Sequence, residues 1–339
     1  MSRTTPSRPV DVAAVFPALA PLARTVTRLH PRPGTPSPHE SSVGGPLLWP
    51  ASEPWPHCHG PHEADWMNTF MSPADARRTR RIHAAAYDRA LNAEEREILD
   101  RIDDDVELPE DPIAMLPVAQ LYVRDVPGLS PPSGADLLQV LWCPFDHDAD
   151  PEAAGMPKTW MFWRSAATVT DILTDPPEPP AVQNGADYVP VPCTIDPEQV
   201  IEYPSGSDLE GELREQVNQW TMREIPGVEF GDFSDDDNPY RDLCIAPGWK
   251  VGGWINWGMT DPYPQPCRAC GTPTEPFLTI ATREWHPGIR HWIPYEDQHA
   301  GRTDTRYPEP SGIDIRGGYH QIIRVCPASP DHPHALLMQ

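Results

Sequence analysis

The chain has 339 residues, among them 46 prolines and 12 tryptophans, and a formal charge of -24 at pH 7. Proline removes a backbone donor and is excluded from helix interiors and central strands, so many short strands joined by rigid turns are expected in place of long helices. Tryptophan at this level excludes a disordered chain. The charge excludes nucleic acid and an anionic membrane surface as partners, because both select basic faces, and it suits a basic protein partner.

In chain order, residues up to about Pro9 read as disordered. The apolar run Val12–Phe16 is far too short to span a membrane. Pro17 to Leu29 reads as a short amphipathic helix with Leu19, Leu22, Val26 and Leu29 on one stripe. Residues 1–40 therefore form an N-terminal extension, followed by a first β-rich unit over 41–175 with a helical insertion at 72–103. In that insertion Ser72 caps and Pro73 takes the first helical position, and a second helix opens at Asn92 with Glu95 three residues on. The arginines at 77, 78, 80 and 81 are expected to pair with the acidic remainder of the chain. Strands are predicted at Leu116 to Arg124, Asp136 to Cys143 and Thr159 to Arg164, from their β-branched and aromatic content. A Pro-rich linker occupies 176–187, and a second β-rich unit occupies 188–339. Its clearest helix is predicted from Ser207 to Ile225, with Leu209, Leu213, Val217 and Trp220 buried. Asp235-Asp236-Asp237 reads as solvated loop.

The two units share landmarks in the same order. Val43-Gly44-Gly45 precedes Trp49 as Val251-Gly252-Gly253 precedes Trp257, and Trp55-Pro56-His57-Cys58 stands where Tyr263 to Cys267 stands. Pro117-Val118-Ala119-Gln120-Leu121 matches Pro276-Phe277-Leu278-Thr279-Ile280, and the strand ending in Cys143 matches the one ending in Cys326. The expected fold is α+β, mainly β, with two similar units from internal duplication.

Gly44-Gly45-Pro46-Leu47-Leu48-Trp49-Pro50, with Trp55-Pro56 and Pro117 to Leu121 after it, resembles the signature of the YwqG-like family of uncharacterised bacterial proteins, from about Ser41 onward. The resemblance implies a mainly β fold with an internally repeated core. It also implies a role proposed for some members, as immunity proteins that neutralise secreted bacterial toxins. The helical insertion, the acidic middle and Cys267-x-x-Cys270 depart from the shorter members.

No G-x-G-x-x-G, P-loop or G-x-S-x-G pattern is present, so no catalytic constellation is legible. The strongest chemical signal is Cys267-Arg268-Ala269-Cys270-Gly271, whose spacing lets two thiolates turn toward one ion. A redox pair would open a helix in a βαβ unit, whereas here Pro-rich turns surround it. Cys326 ends the closing strand, with His332 and His334 just beyond. If the two ends meet, Cys267, Cys270, Cys326 and one histidine, His332 first, form a structural zinc site. The matching residues of the first unit are Cys58 and Cys143, with His62 and His147 to complete them. Glu284, Trp285 and Trp292, with Glu296 and Asp297 close by, could hold a sugar or a cationic group. Seven cysteines in a chain of this size do not make a disulfide framework, and a cytoplasmic setting with reduced thiols is expected. Together these features suit a non-enzymatic binding protein, toxin-neutralising in the sense that the resemblance implies, with a metal-dependent enzyme as the alternative.

Overall fold

A computed structural model describes residues 3–62, 69–102, 112–151, 153, 155–183, 187–221, 239–286, 289–298 and 309–339. The first half contains α1 (Val12–Val15), a 3-10 turn over Pro17–Leu22, β1 (Arg24–Arg28), β2 (Arg32–Pro33), β3 (Ser42–Val43), β4 (His57–Cys58) and β5 (Phe70–Met71). It continues with α2 (Pro73–Ala85), α3 (Ala93–Ile102), β6 (Ile113–Ala114), β7 (Leu116–Tyr122), β8 (Leu137–Asp146) and β9 (Pro157–Arg164). The second half contains β10 (Val182–Gln183), β11 (Cys193–Thr194), β12 (Glu198–Glu202), α4 (Gly211–Thr221) and α5 (Pro239–Cys244). It ends with β13 (Lys250–Val251), β14 (Glu275–Ala281), β15 (His320–Val325) and β16 (Ala335–Met338).

Two six-stranded antiparallel sheets dominate. Sheet I has the order β2-β11-β3-β7-β8-β9, and sheet II has the order β12-β1-β13-β14-β15-β16. Their registers correspond. Val43 faces Ala119 in sheet I, and Val251 faces Leu278 in sheet II. Both long hairpins carry an irregularity at the matched place, between Pro117 and Ala119 and between Pro276 and Leu278. Gly44 and Gly252, both with positive φ (61° and 77°), donate to the matched carbonyls of Val118 and Phe277 at 2.8 Å each.

The strands do not keep to the expected boundaries. β1, from the N-terminal extension, lies between β12 and β13 of sheet II, and β11, from the second half, lies between β2 and β3 of sheet I. Each half thus lends one strand to the other's sheet. The helix expected over Pro17 to Leu29 shrinks to the 3-10 turn, and the chain is extended from Arg24 because β1 completes ladders on both of its edges. Residues 3–9, expected to be disordered, are held by the second half through side chains described below.

The insertion helices start as expected. Ser72 Oγ accepts from Asp75 N at 3.1 Å, and Asn92 and Glu95 form a reciprocal pair at 2.9 Å in each direction. The arginines find mixed partners: Arg77 pairs with Glu178, while Arg80 donates to the Gly312 carbonyl at 2.8 Å. α4 begins four residues later than Ser207, because Ser205 and Asp208 make a capping box around a preceding 3-10 turn, Gly206–Asp208. Its apolar stripe is nevertheless the expected one, with Leu209 and Val217 buried and Leu213 and Trp220 packed against the same cluster. The expected helix end at Ile225 and the run Asp235 to Asp237 lie outside the described residues.

One apolar cluster draws on both sheets, including Val118, Leu138 and Trp142 from one and Val251, Ile280 and Ile323 from the other. Thr159 of β9 donates to Gln321 of β15 at 2.6 Å, a buried polar link between the sheets. No helix among the described residues is long and apolar enough to cross a membrane.

Candidate metal centres

Two groups of four side chains are placed to hold a metal ion. They are Cys58, His62, Cys143 and His147 (centre I) and Cys267, Cys270, Cys326 and His332 (centre II); within each, the ligand atoms all lie within 4.8 Å of one another. In centre II, Cys270 Sγ lies 3.5 Å from Cys326 Sγ, and His332 Nδ1 lies 3.3 Å from Cys326 Sγ and 3.6 Å from Cys267 Sγ. In centre I, Cys58 Sγ is 3.7 Å from His147 Nε2, and His62 Nε2 is 3.1 Å from Cys143 Sγ. The edges of a zinc tetrahedron are about 3.8 Å between sulfurs and about 3.5 Å between sulfur and nitrogen, given Zn–S near ~2.3 Å and Zn–N near ~2.0 Å. Both groups fit.

Local chemistry explains each position. The knuckle of centre II is closed by Gly271 N donating to the Cys267 carbonyl at 2.7 Å and by Cys267 N donating to Thr272 at 2.8 Å. Gly271 has φ +76°, a conformation that glycine takes at no steric cost, so both sulfurs turn to one side. Cys326 follows the last residue of β15, where Pro327 ends the ladder. In centre I, Cys58 lies on β4, which pairs with β6 at Ile113. Cys143 falls in the irregularity between Trp142 and Asp146, where β8 bows away from β9. His147 directly follows β8, and its ring centroid is 5.0 Å from that of His62. The histidine left open in the sequence is decided by direction: His334 Nε2 is bound to the Thr159 carbonyl at 2.8 Å, so His332 completes centre II.

The environments differ. Cys58, Cys143 and His147 are buried among Ile113, Phe145 and Ala181, whereas Cys270 is exposed. The Cys58 thiol is pulled down to about 2, first by its hydrogen bond with Cys143. Cys270 is pulled down to about 6, first by its hydrogen bond with the Thr272 hydroxyl. Both therefore favour the thiolate that binds metal. Cys193 and Cys244 contrast with them, because burial pushes each up to about 12 and neither joins a group among the described residues. All seven cysteines are free of disulfides.

Glu284, Trp285 and Trp292 do come together, but in the interior, at 1%, 5% and 1% exposure. Glu284 Oε1 accepts from Trp249 N at 2.9 Å, and Trp292 Nε1 donates to the Asp242 carbonyl. Their cations come from the chain itself: Arg32 lies over Trp285 at 5.2 Å, and Arg28 and Arg8 lie over Trp292 at 5.5 and 4.7 Å. Sequence reasoning missed these partners. Arg28, His30 and Arg32 alternate along one extended stretch, but no motif ties them to residues more than 160 positions away, such as Glu198, 3.1 Å from His30. It also missed the buried pair of Lys250 and Glu202, 2.6 Å apart.

No protein-family model matches the chain, and no curated protein matches it.

Proposed function

We propose that this chain is a non-enzymatic binding protein whose two loop-rich ends are each clamped by a structural zinc ion. The observation that carries the structural role is the completeness of the donor sets, with four protein side chains in each group. Four protein ligands fill a zinc tetrahedron, whereas a catalytic zinc keeps a corner for water. Sets of two sulfurs with two nitrogens, or three sulfurs with one, suit zinc and disfavour hard cations such as magnesium and calcium. Cys143 lies near the end of β8 and Cys326 just past the end of the matched β15, so each ion would tie the end region of a strand to the segment that crosses it.

The partner we propose is a basic protein met in a reducing, cytoplasmic setting. The charge of -24 and the free thiols support this. The YwqG-like resemblance supports a toxin-neutralising role for the binding. The paired registers, the matched irregularities and the two four-residue groups support an origin of the two halves by duplication.

Metal analysis of protein made without a histidine tag tests the zinc proposal, with two zinc ions per chain expected and none overturning it. Capture of partners from the native host, read by mass spectrometry, tests the binding role. Robust turnover of a small molecule by the zinc-loaded protein would replace it with the metal-dependent enzyme.

A further inference from the structure

Residues 3–8 (Arg-Thr-Thr-Pro-Ser-Arg) run outside both sheets and lie across the second half of the chain. Of residues 3–10, only Val10 packs against an apolar cluster. The remainder is held by polar contacts. Arg3 sits between Asp297, at 3.1 Å, and Asp196, at 3.4 Å. Thr4 N donates to Glu296 at 2.9 Å, and its carbonyl accepts from Tyr295 N at 3.0 Å. Thr5 N donates to Glu198 Oε1 at 2.7 Å, its hydroxyl donates to Glu198 Oε2, and Arg28 donates to that hydroxyl at 2.8 Å. Arg8 spreads over Trp292 at 4.7 Å and donates to the Ile201 carbonyl. These are the elements of extended-peptide recognition: carboxylates for a guanidinium, main-chain pairing, a polar socket for a hydroxyl and an aromatic face for a second cation.

We propose that this face, built from Asp196, Glu198, Glu296, Asp297 and Trp292, is a docking site for an extended cationic segment of a protein partner, and that residues 3–8 occupy it in that segment's place. The proposal rests on the binding-protein reading above and deepens it by placing the partner. The segment that fits carries two arginines five residues apart, with a hydroxyl residue two after the first, as Arg3, Thr5 and Arg8 do. The receptor is preformed from beneath. His30 holds Glu198 at 3.1 Å, and Arg32 holds Asp297, so the carboxylates stay in place when the overlying segment leaves. The overlying segment is the replaceable part, because it shares no ladder with either sheet and its pair with Asp196 is partly exposed and therefore weak. The net charge supplies the long-range attraction for a basic partner.

The test uses the full chain with Arg3→Ala, Thr5→Ala and Arg8→Ala together, and a fluorescein-labelled acetyl-Arg-Thr-Thr-Pro-Ser-Arg-amide peptide followed by anisotropy. The triple variant should bind the peptide about tenfold more tightly than the unaltered protein, the gain expected when an occupant filling about nine sites in ten is released. Binding should weaken as salt rises, and adding Asp196→Asn should remove most of it, because Asp196 is the rim carboxylate on Arg3. The single Arg3→Ala variant should show a smaller shift in the same direction. A folded triple variant that does not bind the peptide, or binds it regardless of Asp196, overturns the proposal. So does a triple variant that loses its fold, since residues 3–8 would then be structural. Peptide binding with no partner captured from the host supports the site and removes only the toxin-neutralising role. A captured partner indifferent to Asp196→Asn keeps the binding role and removes this site.

Discussion

Centre I is buried apart from a half-buried His62 and offers two thiolates and two imidazoles; centre II reaches the surface through Cys270 and offers three thiolates and one imidazole. With a divalent ion the first set is neutral and the second carries one negative charge. Burying a net charge is costly, whereas solvent screens it at the surface. The donor sets are therefore placed as burial requires: the neutral one inside, the anionic one where water reaches. The difference shows how two matched frameworks can differ in chemistry while keeping their anchor points, near the end of β8 and just past the end of β15.

The largest way to break this comparison is to remove an anchor of the buried centre. Cys143→Ala should abolish soluble, folded protein, because structural zinc contributes an apparent ~10–16 kcal/mol in small domains, comparable with the whole stability of a typical domain. Zinc content and circular dichroism check this, and a folded variant that retains one zinc at centre II would show that sheet I stands without its clamp.

The next largest effect belongs to sheet II alone. Lys250 pairs with Glu202 inside it, while the matched position of sheet I holds Ser42. Glu202 also accepts from the main chain of Ala246 and Trp254. Glu202→Gln should cost roughly 3–5 kcal/mol, the penalty for leaving a buried charge unpaired. Ser42→Ala should be near neutral in the same denaturant titration.

Exposure should order the two metals in time. A chelator should strip centre II before centre I, and iodoacetamide should label Cys270 ahead of Cys58 and Cys143. Release in two phases, with Cys326→Ser deleting only the fast one, is the expected record. A single phase would mean that the centres are not distinguished by burial.

The smallest effect is on pH. His320 of sheet II is pulled down to about 4, first by burial and then by Lys250, while Leu137 takes the matched place in sheet I. With the folded value below the ordinary ~6.5, the unfolded chain takes up the proton first. The contribution of His320 is thus complete above about pH 6.5 and is lost as pH falls toward 4. His320→Gln should flatten the fall in melting temperature over that window, and a Leu137→Val variant should leave its slope unchanged.

Much of the candidate metal chemistry was legible in the sequence because it is local. Cys267-x-x-Cys270-Gly271 specifies a knuckle by spacing and by the one residue type that relieves its turn, and Pro327 marks where β15 must stop. The caps at Ser72 and Asn92 were legible for the same reason, since a cap is decided within four residues. What only the tertiary structure decided is long-range. β11 is two residues long, too short to show any period, and its place beside β3 comes from a ladder and not from its composition. Val26 and Leu29 fit a helical stripe on paper, but partners on both edges of β1 outweigh that preference. Residues 3–8 are polar enough to read as disordered, and they are ordered by carboxylates nearly two hundred or more positions away, which no local pattern encodes. The choice of His332 over His334 likewise depends on which ring faces the sulfurs, a matter of side-chain direction that spacing does not carry.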